Sequence, residues 1–276
     1  MSFFTTCDGI RLHYTDAGAG QPLLCLAGLT RNGLDFSFLA PHLTDLRLIT
    51  LDSRGRGASD FDPDFMNYNV LREAQDAIAL LDHLGLDRVT VLGTSRGGLL
   101  AMALAASHPD RLAGVILNDI GPVVGAQGIA RIMDYVGRKP RAKTLDAAAA
   151  DLKVAMERDF PGVPLTVWRR QAKYQYRPTG DGLELRYDPK LHKALLEQAA
   201  TGAVPDMWMF FAALRGMPLG VLRGANSDIL THETLEEMRL RHPGMISAEV
   251  PDRGHVPFLD EPQSLALIRR LLEDAR

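Results

Sequence analysis

A serine between two glycines is the clearest candidate for chemistry in this 276-residue chain. Residues 93–97 read Gly-Thr-Ser-Arg-Gly, a G-x-S-x-G pattern that follows a predicted strand and opens a predicted helix. Glycine at the flanking positions lets the backbones pass closely, so a tight turn can hold the Ser95 hydroxyl above the sheet. The pattern predicts a nucleophilic serine. The alternative is a glycine-rich turn with an incidental serine.

A serine hydroxyl is a poor nucleophile at neutral pH and needs an adjacent base. Of the eight histidines, His255 is the best candidate, because it lies in a loop between the last predicted strand and the closing helix. The other histidines occupy strand, helix-end or surface-like positions. We therefore predict that His255 accepts the Ser95 proton.

Two aspartates are candidates for the acid that would orient His255. Asp228 and Asp119 each follow a predicted strand, and both strands would end at the edge of the sheet where open α/β folds bind ligands. Ser95, Asp228 and His255 also occur in the nucleophile, acid, base order expected of such a site. We prefer Asp228 and keep Asp119 as the alternative. The carboxylate not used would be a turn or helix-capping group.

A tetrahedral oxyanion needs two backbone donors. One belongs to the residue after the nucleophile, Arg96, at the start of a helix whose dipole favours negative charge. The other should come from the loop after the predicted strand over residues 22–27, where Gly28 permits a turn and Leu29 is the expected donor.

Further motifs give the chain a resemblance to the α/β-hydrolase-fold superfamily over nearly its whole length. Residues 52–59 are similar to the D-x-R-G-x-G-x-S turn of that superfamily, and Gly254-His255 stands at its usual terminal position. The resemblance implies Ser95 as nucleophile, His255 as base and Asp228 as acid. The chain has Ala27-Gly28 where the family often has His-Gly. Its Gly224–Asp228 spacing is one residue longer than usual, which keeps Asp119 open, since some relatives that hydrolyse dicarboxylate-type substrates use an acid at that position.

Strand and helix patterns alternate up to about residue 121 and again from residue 218. This rhythm predicts an α/β fold with a mostly parallel central sheet and helices on both faces. Residues 122–205 depart from it and fall where the family inserts its cap. We predict an α/β-hydrolase core over 1–121 and 206–276, with a mainly helical cap over 122–205.

Two arginines and two tryptophans are tentative substrate-binding residues. Arg31 lies just past the oxyanion loop and Arg96 follows the nucleophile, so either could pair with a substrate carboxylate. The alternative for each is a structural or solvent-facing ion pair. Trp168 and Trp208 could line an apolar pocket or belong to the core.

Composition narrows the partners. A net charge of −3, from 31 basic and 34 acidic residues, gives no electrostatic basis for binding nucleic acid or anionic lipid. The two cysteines lack disulfide-framework or metal-ligand spacing, and neither a signal peptide nor a membrane span is predicted. We expect a cytoplasmic protein with a small-molecule substrate, no metal and no cofactor. The sequence leaves the oligomeric state open.

These residues together predict cofactor-free hydrolysis of a small ester, lactone, thioester or amide through an acyl-enzyme, as in a carboxylesterase. The same groups could instead cleave a C–C bond or act on peroxide, because the pocket sets the choice. A non-catalytic ligand receptor on this fold is the third alternative.

Overall fold

The structure is a computed structural model that describes residues 2–200 and 206–276. In these residues, eight strands form one sheet in the order β1-β2-β4-β3-β5-β6-β9-β10. Pairing is antiparallel from β1 through β2 to β4 and parallel from β4 to β10, which confirms the predicted mostly parallel sheet. The strands are β1 (Ser2–Thr5), β2 (Arg11–Ala17), β3 (Pro22–Leu26), β4 (Arg47–Leu51), β5 (Val89–Thr94), β6 (Leu112–Asn118), β9 (Leu219–Gly224) and β10 (Ile246–Val250), with a separate hairpin of β7 (Tyr176–Thr179) and β8 (Gly182–Leu185).

Helices fill the connections between the strands, and several begin at capping residues. The Asn69 side chain accepts a hydrogen bond from the backbone of Arg72, which starts the helix where the apolar periodicity begins. The helices are α1 (Val70–His83), α2 (Arg96–Ser107), α3 (Ala126–Tyr135), α4 (Leu145–Met156), α5 (Leu165–Gln175), α6 (Leu191–Ala200), α7 (Met207–Ala212), α8 (His232–Arg241) and α9 (Pro262–Asp274).

The sheet is covered on both faces because alternate residues of a strand point to opposite sides. In β3, Leu24 and Leu26 pack with the apolar sides of α1 and α2. Leu23 and Cys25 face the other way, into a second core cluster that contains the apolar side of α9. Both sides of the strand are buried, so β3 reads as a continuous apolar run.

The chain between β6 and β9 forms helices α3 to α7 and the β7–β8 hairpin. This inserted segment has an apolar cluster of its own around Trp168, Phe160 and Val163. It is joined to the core by backbone hydrogen bonds, such as that from the Gly57 N–H to the Arg186 carbonyl. The boundary between core and cap that we place at residues 121 and 122 remains a prediction. The second boundary, at 205 and 206, adjoins residues 201–205, which lie outside the described part of the chain.

None of the helices in residues 2–200 and 206–276 is both long and apolar enough to cross a membrane. The same residues contain no group of three or more His, Cys, Asp or Glu side chains that could hold a metal ion.

Candidate active site

Ser95 occupies a strained turn between β5 and α2. Its backbone has φ +52° and ψ −117°, a conformation that residues other than glycine rarely adopt. The Ser95 N–H donates to the Asn118 carbonyl of the neighbouring strand at 3.0 Å, which fixes the turn against the sheet. Strain of this kind persists only where the surroundings impose it, as at a reactive residue.

The glycines beside Ser95 are required by close packing. A Cβ added to Gly97 would lie 2.0 Å from the Leu26 carbonyl oxygen, and one added to Gly93 would lie 2.3 Å from the Gly97 carbonyl oxygen. No side chain fits at either position. The spacing of glycine and serine in the sequence therefore reports a steric requirement of the turn.

Gly97→Ala is expected to lower the free energy of unfolding by about 3 kcal/mol or to prevent folding, because the Leu26 backbone must move. Urea denaturation measures the change. Gly180→Ala is the matched control, since a Cβ there would meet no atom within 4 Å, and its effect should stay below about 1 kcal/mol. Wild-type stability in Gly97→Ala would contradict the packing argument.

His255 lies within hydrogen-bonding distance of Ser95. Its Nε2 is 2.8 Å from the Ser95 Oγ, and its side chain is 14% exposed. The loop that carries it is anchored to β6, because Asn118 Nδ2 donates to the Pro257 carbonyl. Glu261 accepts hydrogen bonds from the backbone N–H groups of Phe258 and Leu259. The imidazole is thus presented by a loop that is held at several points.

Asp119, at the end of β6, is the carboxylate behind His255. Its Oδ2 is 2.7 Å from the His255 Nδ1, and its side chain is completely buried. The carboxylate also accepts hydrogen bonds from the Gly224 N–H at 2.8 Å and from the Ser227 hydroxyl at 2.6 Å. A carboxylate in this position favours the tautomer with a proton on Nδ1, which leaves Nε2 able to accept one from Ser95.

Asp228, the preferred acid from the sequence, does not contact His255. Its carboxylate pairs with Arg131 of α3, which also pairs with Asp159. The reason is the length of the loop after β9. Ser227 lies one residue nearer to Gly224 than Asp228 does, and its hydroxyl is the group that reaches Asp119. The predicted preference for Asp228 over Asp119 was wrong, because Asp119 is the carboxylate that contacts His255. Asp228 instead joins the inserted segment to the core.

The two backbone groups expected to form an oxyanion hole flank the nucleophile. Arg96 is the first residue of α2, and the N–H groups of a first helical turn have no partner within the helix. Gly28 follows β3 so closely beside Ser95 that a Cβ on it would lie 3.6 Å from the Ser95 Cβ. Gly28, the residue before Leu29, therefore borders the serine. The loop is closed by a hydrogen bond from the Arg31 N–H to the Gly28 carbonyl.

Arg96 does not present its side chain to a substrate. Its guanidinium donates from Nε and Nη2 to the two carboxylate oxygens of Glu73, each at 2.9 Å, and from Nη2 to the Tyr68 carbonyl. The carboxylate-binding alternative is therefore wrong for Arg96, and the structural ion pair is what the chain forms. Because the buried carboxylate of Glu73 on α1 binds this guanidinium, the Arg96 side chain is not free to bind a substrate.

Arg31 lies near the nucleophile but is already paired. It donates from Nε to Asp35 at 2.7 Å, and its Nη2 also contacts Asp35 and Gln171 of α5. Its Cγ would be 3.4 Å from a Cβ on Gly28, the glycine that borders Ser95. The side chain is thus close to the reaction centre, and its charge is balanced by an acid.

The two tryptophans have different surroundings. Trp168 is buried in an aromatic cluster, where it packs against Phe160 and Phe258. Phe258 follows His255 by three residues in the sequence. Trp208 packs against Phe211 and beneath Arg241, which closely precedes the start of β10. That is the amino end of the strands, whereas Ser95 follows a carboxyl end. The proposal that Trp208 binds substrate was wrong, because its ring lies against Arg241 at the end of the strands opposite to Ser95.

Four residues that support the site were not predicted from the sequence. Asn118 binds the loop of His255, and Ser227 binds Asp119. Arg56 donates to the Leu29 carbonyl, and Glu73 binds Arg56. Glu73 had a detectable signal, because a charge on the apolar side of an amphipathic helix calls for a buried partner. The others are ordinary polar residues of turns and strand ends.

Comparison with known proteins agrees with the fold. A sequence model of the alpha/beta hydrolase fold family matches residues 21–262. The chain is 36% identical to a 3-hydroxybutyrate-oligomer hydrolase from Cupriavidus necator, over 91% of this chain and 88% of that protein. It is 33% identical to a putative 2-succinyl-6-hydroxy-2,4-cyclohexadiene-1-carboxylate synthase from Bacillus subtilis, over 94% and 93%. A crystal structure of an alpha/beta hydrolase from Novosphingobium aromaticivorans superposes with a TM-score of 0.90 at 42% identity, over 99% and 97%.

The family model covers most of the chain and the relatives cover nearly all of it. The chain therefore belongs to the α/β-hydrolase fold family and is a hydrolase-type enzyme.

Proposed function

We propose that this enzyme is a serine hydrolase that cleaves small acyl esters through a covalent acyl-enzyme, without a cofactor. The observation that carries the proposal is the relay from Ser95 Oγ to His255 Nε2 at 2.8 Å and from His255 Nδ1 to Asp119 at 2.7 Å. A hydroxyl, an imidazole and a buried carboxylate in this order form the arrangement that activates a serine.

In the first half of the reaction, His255 Nε2 accepts the Ser95 proton as Oγ attacks the substrate carbonyl carbon. The backbone N–H groups of Leu29 and Arg96 stabilise the resulting oxyanion. The tetrahedral intermediate then expels the alcohol, which takes its proton from His255. The acyl group remains on Ser95, and Asp119 stabilises the transient imidazolium.

In the second half, a water molecule gives a proton to His255 as its oxygen attacks the acyl-enzyme. The second tetrahedral intermediate collapses to the carboxylic acid, and the proton returns from His255 to Ser95 Oγ. The enzyme is regenerated, and one water is consumed for each ester bond cleaved.

Support for an ester as the substrate comes from the similarity to a hydrolase whose name specifies 3-hydroxybutyrate oligomers. The pairing of Arg31 with Asp35 and of Arg96 with Glu73 removes both arginines as free partners for a substrate carboxylate. We therefore propose an acyl group that is uncharged near the reacting carbonyl, such as a short hydroxyacyl chain, with Arg31 and Gln171 binding its polar oxygens.

A second candidate is cleavage or formation of a C–C bond on the same triad. It is favoured by the 33% identity to a protein named as a putative carboxylate synthase, which extends over almost the whole of both chains. The catalytic groups would be shared, and only the pocket would differ.

The cellular location is a further proposal. Cys7 and Cys25 are both unpaired, the first exposed and the second buried. Free thiols are typical of proteins in reducing compartments, which supports the cytoplasmic location expected from the sequence.

The proposed activity is tested with p-nitrophenyl acetate, p-nitrophenyl butyrate and a linear 3-hydroxybutyrate dimer. We expect turnover of all three, abolished by a serine-directed phosphonate. A non-catalytic receptor would give only the buffer rate with every ester, and that result would contradict the proposal. Ester turnover that persists after complete phosphonate treatment would contradict the serine mechanism.

Asp35→Asn is expected to change the preference for charge in the acyl group. Without Asp35 the Arg31 guanidinium is no longer neutralised, so kcat/KM for mono-p-nitrophenyl glutarate should rise about tenfold relative to p-nitrophenyl butyrate. Asp45→Asn is the matched control, because Asp45 pairs with Arg269 on the surface, away from the nucleophile. An unchanged ratio in Asp35→Asn would show that Arg31 does not face the acyl chain.

A further inference from the structure

A buried charged cluster lies beneath the nucleophile and the loop beside it. Glu73 of α1 is 1% exposed, and its Oε1 accepts hydrogen bonds from Arg56 Nη1 and Arg96 Nη2, both at 2.9 Å. Its Oε2 accepts a third from Arg96 Nε at 2.9 Å. One carboxylate therefore holds two guanidinium groups away from water.

Burial alone would raise the pKa of the Glu73 carboxyl. The charges of Arg56 and Arg96 outweigh that effect and lower the pKa below its ordinary value, so Glu73 is ionised at neutral pH. Two cations and one anion leave the cluster with a net positive charge. Buried ion pairs of this kind seldom add net stability, because desolvation of the charges is costly.

Arg56 extends the cluster to the oxyanion loop. Its Nε donates to the Leu29 carbonyl at 2.9 Å, while its Nη1 also donates to the Arg54 carbonyl at 2.6 Å. The Leu29 carbonyl and the Leu29 N–H share one Cα, so a fixed carbonyl restricts the direction of the N–H. The Gly28 carbonyl, which lies in the same peptide unit as the Leu29 N–H, accepts a hydrogen bond from the Arg31 N–H, so Arg56 adds a second restraint on the other side of Leu29.

Arg96 extends the same cluster to the second donor. Its guanidinium is fixed by Glu73 and by the Tyr68 carbonyl, and its backbone N–H stands at the start of α2 beside Ser95. Arg56, which holds the Leu29 carbonyl, and the side chain of Arg96 therefore both bind the Glu73 carboxylate. A shift of Glu73 would move both supports at once.

We propose that Glu73, Arg56 and Arg96 form a positioning network that sets the separation of the Leu29 and Arg96 N–H groups and places a net positive charge beneath the developing oxyanion. This inference rests on the proposed function, since it assumes that the reaction passes through an oxyanion between these donors. Preorganised donors stabilise a transition state only if they already lie at the position where charge develops.

The test is Arg56→Lys. Lysine keeps a positive charge for Glu73 but lacks the planar fork that reaches three acceptors at once, so the Leu29 carbonyl loses its donor. We expect kcat for p-nitrophenyl butyrate to fall about 10- to 100-fold with KM unchanged within about threefold. The Ki of a boronic acid that forms a tetrahedral adduct on Ser95 should rise by a similar factor.

Arg54→Lys is the matched control. Arg54 lies in the same turn, is fully buried, and is held by Asp62, Asp76 and Asp8, but it does not contact Leu29. This variant should lose stability in urea while kcat stays within about threefold of wild type. Glu73→Gln keeps the shape of the side chain and supplies a second variant if Arg56→Lys does not fold; its kcat should also fall at constant KM.

An equal loss of kcat in Arg54→Lys and Arg56→Lys would overturn the network, as would an unchanged kcat and boronate Ki in Arg56→Lys. Failure of the proposed function gives a different result, because the wild-type enzyme would then show neither ester turnover nor inhibition by the boronate.

Discussion

Ser95→Ala is expected to fold like the wild type and to lose about 10⁵-fold in kcat for ester hydrolysis. The hydroxyl is the only atom group removed, so no nucleophile remains for the acyl transfer. The oxyanion donors and the binding surface survive, which leaves a small residual rate above that of the uncatalysed reaction. Steady-state kinetics with p-nitrophenyl butyrate measures the loss.

The stability of Ser95→Ala should change by less than about 1 kcal/mol, because alanine keeps the Cβ and only the hydrogen bond to His255 disappears. Ser107→Ala is the matched control. Ser107 ends the same helix and donates to the Ala103 carbonyl, far from the nucleophile in the helix. Its kcat should equal that of the wild type. Retention of more than about a tenth of the wild-type kcat in Ser95→Ala would contradict a covalent serine mechanism.

The second large effect separates the two acids. Asp119→Asn is expected to lower kcat by about 10⁴-fold, because an amide can donate to the His255 Nδ1 and stabilise the wrong tautomer. The ring would then carry its proton on Nε2, where it could not accept one from Ser95. The fold should persist, since asparagine has the same shape, its Oδ1 can still accept from the Gly224 N–H, and the Ser227 hydroxyl can rotate to accept from the new amide group.

Asp228→Asn is the matched control for that variant. It removes the same charge from the neighbouring loop and breaks only a partly exposed pair with Arg131. Its kcat should remain within about threefold of wild type, with a stability loss below about 1 kcal/mol. A reversed result, with Asp228→Asn inactive and Asp119→Asn active, would show that the triad forms with the other acid.

The nucleophile turn could be predicted from the sequence because its determinants are adjacent in the chain. Gly93, Ser95 and Gly97 lie within five residues, so the pattern can be recognised locally, although one of the contacts that require it is with the Leu26 carbonyl of β3. Helix α1 (Val70–His83) is likewise specified locally, since its apolar periodicity and its capping by Asn69 depend on neighbouring residues.

The choice of acid was not predictable in this way, because it depends on which loop reaches His255 in space. Asp119 and Asp228 both follow parallel strands, β6 and β9, that are neighbours in the sheet. The pattern of strands therefore places both at the same edge. A single residue in the length of the loop after β9 turns Asp228 toward Arg131 and leaves Ser227 to contact Asp119.

The directions of the long side chains also depend on the tertiary structure. Arg96 follows the nucleophile, yet Glu73 lies 23 residues earlier in the chain and captures it. Trp208 packs against Arg241, which precedes β10 and is distant in the sequence, at the amino end of the strands. Neither contact leaves a local signal in the residues around the arginine or the tryptophan.

The role of Ser95 as the nucleophile is tested most directly by locating the covalent adduct of a serine-directed phosphonate with intact-mass and peptide-map mass spectrometry. We expect one equivalent of label, carried by the peptide that contains Ser95, with loss of activity proportional to labelling. Label on a different residue, or full ester turnover in completely labelled protein, would contradict this role.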